Sequence, residues 1–262
     1  MIKIFDTHAH YDDESYDCDR DSLIKGLPEH GVYAAANIGV TLESSRVTVE
    51  LTNQYDNIYG VVGIYPSDVS QLEKEGAVDE LISMVKNNDK IVAIGEIGLD
   101  YHYDDMDKKL QQKWFAGQME IARELMVPIA VHSRDAAKDT VDIMKATNAK
   151  EIGGVIHCYS YTKEVARDFL NMGFYFGIGG VVTFKNAKKL RAAVEYIPME
   201  NIVLETDSPY LTPSPHRGER NSSLYLPLVA ETIAEIKGIS VDEVYDITWK
   251  NAHEMYKIPL NE

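Results

Sequence analysis

The sequence predicts an α/β fold, a single (β/α)8 TIM barrel with extra C-terminal helices, and places residues 1–262 in one domain. The length of 262 residues is close to the roughly 250 that such a barrel needs. Short runs rich in β-branched residues alternate with longer amphipathic stretches, which indicates parallel strands joined by helices. No stretch rich in Gly, Ser or Pro interrupts this alternation as a linker between domains would.

Eight runs are predicted to be strands. They cover residues 2–6, 33–39, 58–63, 91–96, 128–132, 153–157, 174–178 and 201–205. Runs such as Ile91-Val92-Ala93-Ile94 are continuously apolar, as expected of strands that are covered on both faces. Closure of eight such units into one barrel is the economical arrangement, and a doubly wound open sheet is the alternative. No Gly-x-Gly-x-x-Gly fingerprint follows the first run, which weakens the dinucleotide-binding form of that alternative.

Amphipathic helices are predicted between the strands and after the last one. Residues 107–125 place apolar side chains at helical spacing, and residues 162–171 open with Thr162 as a plausible N-cap. Beyond the eighth strand the pattern predicts two more helices, over residues 224–237 and 241–256.

Composition and charge limit the partners of the chain. Apolar residues make up 45% and charged residues 26%, as in ordinary globular proteins. Acidic residues outnumber basic ones by 42 to 26, a formal charge of -16, so a polyanionic substrate needs local positive charge. No apolar run approaches the roughly 18 residues of a membrane span, and Asp6 comes too early for a secretory signal. We therefore expect a soluble, cytoplasmic monomer without membrane contact, and Cys18 and Cys158 suit a reducing compartment.

Side chains of the metal-ligand type recur at the ends of the predicted strands. They are His8 and His10 after the first run, Glu96 in the fourth, His132 in the fifth, His157 in the sixth and Asp207 just past the eighth. The carboxyl ends of all strands in a parallel barrel share one face, so these groups are expected to converge. A lone histidine at a strand end is more often a hydrogen-bonded structural residue. Repetition at five strand ends is not expected of independent structural residues.

Glu96 and the pair His8 and His10 carry most of this prediction. The run 91–99 is otherwise apolar or glycine, and a carboxylate there is costly unless it is paired or metal-bound. Residues i and i+2 of an extended segment point the same way, so both imidazoles reach one ion. For Asp207 a turn or helix cap is the alternative. Ligands of this type suit Zn²⁺, Mn²⁺, Ni²⁺, Fe²⁺ or Mg²⁺, and Glu96 is placed to bridge two ions about 3.5–4 Å apart, which predicts a two-metal hydrolytic centre.

Five motifs carry these residues in order along the chain. They are Asp6-Thr7-His8-Ala9-His10, Gly95-Glu96-Ile97-Gly98-Leu99-Asp100-Tyr101, His132-Ser133-Arg134-Asp135-Ala136, His157-Cys158-Tyr159-Ser160 and Leu204-Glu205-Thr206-Asp207-Ser208-Pro209-Tyr210-Leu211. This series resembles the TatD family of metal-dependent deoxyribonucleases, within the amidohydrolase-like superfamily of barrels. The resemblance implies a TIM barrel, one to three divalent ions, and hydrolysis of phosphodiester bonds in DNA, with single strands or DNA ends as the substrate.

The resemblance also implies two ions per chain, each with its own set of ligands. The ligands of the first ion are then His8, His10, Glu96 and Asp207, and those of the second are Glu96, His132 and His157. Asp207 also takes a proton from the attacking water, which makes Asp207 and Glu96 the catalytic residues. Glu205 is expected to orient a ligand or the water, and an ordinary strand-end carboxylate paired with a lysine is its alternative.

Contacts to phosphate and bases are expected from loops on the same face. A guanidinium grips phosphate through two parallel hydrogen bonds, and the candidates for substrate binding are Arg134, His102, Arg217 and Arg220. Loop tyrosines offer stacking surfaces for single-stranded ends, although core or rim positions explain them equally well; they are Tyr101, Tyr103, Tyr159, Tyr161 and Tyr210.

The sequence departs from the family pattern outside the ligand set. Tyr65 stands where the family usually has His, Ser67 where another His is common, and Tyr161 where Gly is common. Ser222-Ser223 replaces the Glu-Pro that usually follows Arg-Asn. These departures affect substrate recognition more than metal binding, and the change at Tyr65 is expected to remove a phosphate contact or an acid.

Two rival functions stay open. The first is a binuclear hydrolase of a small neutral substrate, such as a lactone, amide or triester. Several barrels of that type bridge their ions through a carboxylated lysine, whereas this chain has Glu96, which disfavours this rival. The second is a metal-binding homologue that has lost turnover, which the change at Tyr65 and the missing Glu-Pro favour.

Overall fold

The structure, a computed structural model, describes residues 2–103 and 105–260. It contains one sheet whose eight parallel strands follow each other in chain order. They are β1 (Ile4–Ala9), β2 (Val32–Ile38), β3 (Ile58–Val62), β4 (Ile91–Asp100), β5 (Ile129–Arg134), β6 (Gly154–Ile156), β7 (Tyr175–Ile178) and β8 (Ile202–Leu204). With helices between the strands, this sheet confirms the predicted TIM barrel.

The helices of the described residues alternate with the strands. They are α1 (Arg20–Gly26), α2 (Leu42–Gln54), α3 (Ala77–Lys86), α4 (Lys108–Leu125), α5 (Ala137–Ala146), α6 (Lys163–Asn171), α7 (Lys188–Tyr196), α8 (Leu226–Lys237) and α9 (Val241–Met255). Short 3-10 turns occupy Glu14–Tyr16, Leu27–His30, Pro66–Glu73, Ala149–Glu151, Gly180–Thr183, Met199–Asn201 and Ser223–Tyr225. The two extra C-terminal helices are thus α8 and α9. None of these helices combines the length and apolar character that crossing a membrane requires.

The barrel is closed between its first and last strands by the segment that follows β8. The backbone N–H of Asp207 donates to the carbonyl of His8 at 2.9 Å, and that of His10 donates to the carbonyl of Ser208 at 2.8 Å. This pairing brings Asp207 next to His8 and His10, although the chain separates them by almost its whole length.

Two apolar layers hold the barrel. Strand and helix side chains fill the outer layer, for example Ile94, Phe115 and Met119. Inward-facing strand residues such as Phe5 fill the inner layer together with residues of α9. The hydroxyl of Tyr256, just after α9, donates to a backbone carbonyl of β1 at 2.6 Å. Helix α9 therefore covers one end of the barrel, and the predicted ligand residues lie at the other end.

Several predicted boundaries need correction. Strand β4 continues to Asp100, because after a register shift between Ile94 and Ile97 it pairs with β5 as far as Arg134. Glu96 therefore lies inside β4 at that irregularity, where a bulge re-aims side chains. Thr162 precedes α6 but its side chain makes no capping hydrogen bond.

Candidate metal centre

The six predicted ligand side chains converge at the carboxyl end of the barrel. Five of them line a cavity of about 820 Å³: His10, Glu96, His132, His157 and Asp207. His8 is 1% exposed and lies against them. The repeated strand-end pattern therefore indicated a real cluster, although binding of an ion by these residues stays a prediction.

The two carboxylate oxygens of Glu96 face different pairs of histidines. Oε2 lies 3.4 Å from Nε2 of His8 and 4.0 Å from Nε2 of His10. Oε1 lies 2.8 Å from Nδ1 of His132 and 3.6 Å from Nε2 of His157. Glu96 is thus shared by two groups of donors, which we call the Oε2 group and the Oε1 group.

Asp207 completes the Oε2 group. Its Oδ1 lies 3.3 Å from Nε2 of His10 and 3.8 Å from Nε2 of His8. The two imidazole Nε2 atoms are 3.3 Å apart, close to the ~3.4 Å between two nitrogen ligands of one tetrahedral ion with bonds of about 2.1 Å. His8, Glu96 and His157 also bring ligand atoms within 4.8 Å of one another. The donor types and separations therefore fit divalent ions.

Groups behind the histidines hold their rings. Nδ1 of His10 lies 2.9 Å from the carbonyl of Ile38. Nδ1 of His157 lies 3.2 Å from Oε1 of Glu205, and that same oxygen accepts the backbone N–H of Cys158 at 2.6 Å. Such partners fix the tautomer and orientation of a metal-binding imidazole. The fully buried Glu205 makes these contacts rather than a pairing with lysine.

His132 has two partners of its own. Its Nε2 lies 3.0 Å from the hydroxyl of Tyr65 and 3.5 Å from Oδ2 of Asp100. The Tyr65 hydroxyl donates to the same Oδ2 at 2.8 Å. Asp100 has no role among those predicted from the sequence, although its position after an otherwise apolar run was a usable signal.

The imidazoles keep the carboxylates of the centre ionised. Burial raises the pKa of Glu96, but the charge of His157 and the hydrogen bonds from His132 and His8 outweigh it and hold the pKa well below its usual range. For Asp207, burial is likewise outweighed, mainly by the hydrogen bond from His10, and the pKa is lowered. Both carboxylates are therefore available as anionic ligands at neutral pH.

The pKa values of His157, His10 and His132 are raised in the absence of a bound cation. Burial lowers the pKa of His157, but the charges of Glu205, Glu96 and Asp207 outweigh it and raise the pKa to about 10. Burial is also outweighed for His10, whose pKa rises to about 9 through the hydrogen bond and charge of Asp207. The cluster thus collects positive charge where a divalent ion would otherwise supply it.

Among the predicted phosphate contacts, Arg134 is the residue that lies at the cavity. It lines the cavity and its guanidinium lies 5.9 Å from the ring centroid of Tyr103. His102 instead pairs with Asp135 at 3.3 Å and is not among the residues that line the cavity. The structure therefore brings Arg134, but not His102, to the cavity wall.

The other two arginines are engaged elsewhere. Arg220 makes a bidentate pair with Asp19 at 2.8 and 2.6 Å and stacks on the ring of Tyr16 at 4.6 Å. Arg217 lies 4.0 Å from the ring centroid of Phe184. Neither lines the cavity. Arg220 connects the loop after β8 to the loop after β1, and phosphate binding by these two arginines stays a prediction.

The loop tyrosines divide in the same way. Tyr103 and Tyr210 line the cavity and are 49% and 54% exposed. The hydroxyls of the other three are hydrogen-bonded to neighbouring groups, that of Tyr101 to Asp139, that of Tyr159 to a backbone carbonyl and that of Tyr161 to Ser133. Stacking on a substrate is therefore open to Tyr103 and Tyr210, whereas the other three pack within the fold.

Comparison with known proteins decides the family. The model of the family described as TatD related DNase matches residues 5–257. The chain belongs to the TatD family. Its motifs had indicated this family, and the match confirms it.

Similar TatD-family proteins cover nearly the whole chain. The uncharacterized metal-dependent hydrolase YabD of Bacillus subtilis is 40% identical over 255 residues, covering 97% of this chain and 99% of that protein. YcfH of Escherichia coli, also named an uncharacterized metal-dependent hydrolase, is 35% identical, covering 97% and 96%. The crystal structure of YJJV, a TatD homologue from Escherichia coli, has a TM-score of 0.90 and 25% identity, covering 98% of both chains. A metal-dependent hydrolase is thus supported.

Proposed function

We propose that this TatD-family hydrolase cleaves phosphodiester bonds of DNA with two divalent ions, acting on single strands or DNA ends. The observation that carries the proposal is the division of Glu96, whose oxygens face the Oε2 group and the Oε1 group separately. A carboxylate shared in this way is suited to bridge two ions. Phosphodiester hydrolysis is the chemistry for which such a pair of cations is most useful, because phosphate repels hydroxide.

Bound divalent ions would supply a water that is nucleophilic near neutral pH and would neutralise the phosphoryl oxygens. Asp207 is the residue placed to accept the proton of that water. Its side chain is 18% exposed while that of His8 is 1% exposed, so a carboxylate oxygen reaches the cavity. His10 holds Asp207 through the 3.3 Å contact at Oδ1.

The cavity suits a terminal nucleotide better than a duplex. A volume of about 820 Å³ lies within the range of small-molecule sites. Arg134 offers a paired hydrogen bond to one phosphate, and the exposed rings of Tyr103 and Tyr210 offer surfaces on which bases stack. These features support an unpaired end as the substrate.

One observation favours a second candidate, a hydrolase of small neutral substrates. Besides Glu96 and Asp207, the cavity is lined by Asp12, Asp13, Asp68 and Asp100, whereas Arg134 is the basic residue among its lining side chains apart from the histidines. This surplus of carboxylates opposes a polyanion until cations are bound.

The test is hydrolysis of a labelled single-stranded oligonucleotide by purified protein with Mg²⁺ or Mn²⁺, beside Asp207→Asn. We expect metal-dependent cleavage that is reduced at least about a hundredfold in the variant, the order of loss for a missing general base. A neutral lactone or triester is assayed in parallel over a range of salt. Cleavage of DNA should weaken steeply with salt, whereas turnover of the neutral compound alone would favour the second candidate. If the wild type and Asp207→Asn show no metal-dependent difference on any substrate, the result would favour a metal-binding homologue that has lost turnover.

A further inference from the structure

The two donor groups around Glu96 differ in how many side chains they contain. Besides Glu96, the Oε2 group has His8, His10 and Asp207, whereas the Oε1 group has His132 and His157 and shares Asp207, whose Oδ1 lies 3.9 Å from Nε2 of His157. An ion on the Oε1 side therefore has fewer protein ligands of its own. Its affinity must depend more strongly on how well each of its two histidines is oriented.

The contacts of His132 define which of its nitrogens faces the site. Nδ1 lies 2.8 Å from Oε1 of Glu96, and Nε2 points away, 3.0 Å from the hydroxyl of Tyr65. The hydroxyl proton of Tyr65 is directed to Asp100, so the hydroxyl oxygen is free to accept the Nε2–H of His132. With Nε2–H directed to Tyr65, Nδ1 is the nitrogen available to an ion, which would replace the hydrogen bond that Nδ1 makes with Glu96.

The residues behind His132 are themselves anchored. Asp100 is 1% exposed, and its Oδ1 accepts the backbone N–H of His102 at 2.9 Å. Its own backbone N–H donates to the side chain of Gln111 at 3.0 Å. Tyr65 is fixed by a backbone hydrogen bond to Val40 at 2.9 Å. The series from Asp100 through Tyr65 to His132 therefore has a rigid base in β4.

Carboxylate support distinguishes the two sides of the centre. His157 is backed by Glu205 and His132 by Asp100 through Tyr65, whereas His10 is backed by the backbone carbonyl of Ile38. Nδ1 of His8 has no hydrogen-bond partner among the described residues. A carboxylate behind an imidazole fixes its orientation and raises its basicity as a ligand.

We infer that Tyr65 and Asp100 are positioning residues which, by orienting His132, set the affinity of the ion on the Oε1 side of Glu96. The inference rests on the two-ion centre of the proposed function, but not on the identity of the substrate. It also gives Tyr65 a role of its own, where the sequence indicated only the loss of a phosphate contact or an acid at this position. The hydroxyl of Tyr65 is already committed to Asp100 and His132.

The experiment is calorimetric titration of the metal-free protein with Mn²⁺, with wild type compared with Tyr65→Phe and Asp100→Asn. We expect two binding events in the wild type. Each variant should weaken one event by about 10- to 100-fold, the usual effect of removing a group that orients a metal ligand, and leave the other unchanged. Tyr65→Phe removes a single oxygen, so it serves as the test even where Asp100→Asn folds poorly.

Tyr210→Phe is the matched control. Its hydroxyl also donates to a carboxylate at the cavity, Asp13 at 3.1 Å, but Asp13 contacts His10 through its backbone N–H, which donates to the carbonyl of His10 at 3.1 Å, and not through that carboxylate. Both Mn²⁺ affinities should therefore stay at the wild-type values. A loss that came from the general removal of a cavity hydroxyl would appear in this control as well, and would overturn the assignment to Tyr65.

A second readout separates positioning from a merely structural role. In Tyr65→Phe the Mn²⁺ concentration for half-maximal hydrolysis should rise, while the rate at saturating Mn²⁺ returns close to wild type. Unchanged affinities in both Tyr65→Phe and Asp100→Asn overturn the inference alone. A wild type that binds no Mn²⁺ overturns the two-ion centre and the inference with it. Because the titration contains no DNA, failure to cleave DNA would count against the proposed substrate only.

Discussion

At the scale of single residues, the centre depends on charges that satisfy one another. Glu96 is buried at 3% exposure, yet the imidazoles on both of its sides keep it anionic. Removing one imidazole therefore takes away a ligand and leaves part of the carboxylate charge without a partner, which is costly in a buried site. The ligand set should consequently be sensitive to single substitutions.

We expect His132→Ala to lower the metal content of the purified protein, because it removes the nearest nitrogen to Oε1 of Glu96. The loss should amount to about one ion per chain, since the Oε2 group is left intact. Elemental analysis after dialysis against a fixed metal concentration measures it. His102→Ala, which removes an exposed imidazole paired with Asp135, is the matched control, and equal metal content in both variants would contradict the assignment.

The six ligand-type residues were predictable because their positions repeat the strand period of the chain. The partners of other side chains were not, since they depend on contacts between distant loops. Arg220 meets Asp19 across 201 residues of sequence, and no local pattern distinguishes that pairing from a free phosphate contact. Tyr65 and Asp100 meet because β4 extends to Asp100, beyond its predicted end at Glu96, and the sequence pattern does not reveal that extension.

At the scale of elements, the junction of β1 with β8 depends on a buried carboxylate. Strand β8 ends at Leu204, and beyond it Asp6 accepts the backbone N–H of Thr206 at 3.0 Å and its hydroxyl at 2.7 Å. Asp6 also accepts the hydroxyl of Ser223 at 2.6 Å and the backbone N–H of His8 at 3.2 Å. This residue therefore joins β1, β8 and the turn before α8.

We expect Asp6→Ala to destabilise the metal-free protein by about 3–5 kcal/mol, because it leaves several buried donors unsatisfied at about 1–3 kcal/mol each. Asp6→Asn should lose less, since it keeps the carbonyl oxygen and the shape of the side chain. Denaturant unfolding followed by circular dichroism measures both. Asp246→Ala, on the exposed face of α9, is the control, and a loss at Asp6 no larger than that of the control would refute the role of this carboxylate.

Existence and order of the elements followed from the sequence, whereas their ends did not. Strand β4 extends beyond its predicted end at Glu96, because its last residues hydrogen-bond to β5 after the register shift. Strand β8 ends before Glu205, because the following residues turn to β1: the backbone N–H of Thr206 donates to Asp6 and that of Asp207 to the carbonyl of His8. In both cases contacts to a neighbouring strand set the end of the element.

At the scale of the whole molecule, the acidic chain concentrates protons where cations would bind. Its formal charge is -16, and carboxylates of the site raise the pKa of His10 to about 9 and that of His157 to about 10. Near neutral pH the metal-free protein thus carries imidazolium ions in the centre. Ligand imidazoles must be neutral to bind a metal, so an entering ion has to displace these protons.

The stabilisation by metal should therefore increase with pH. Because both pKa values are raised above the unfolded value of 6.5, the two protonated histidines stabilise the metal-free fold fully below that pH. This contribution is lost as pH rises through about 9 to 10, whereas competition by protons against the ion falls over the same window.

We expect the rise in Tm caused by a fixed Mn²⁺ concentration to be larger at about pH 8.5 than at about pH 6.5. His10→Ala, which lacks both a ligand and one of the displaced protons, should show a smaller rise in Tm at both pH values and a smaller dependence of that rise on pH. Thermal unfolding with and without Mn²⁺ measures both proteins, and an equal rise in Tm at the two pH values in the wild type would show that no proton is displaced.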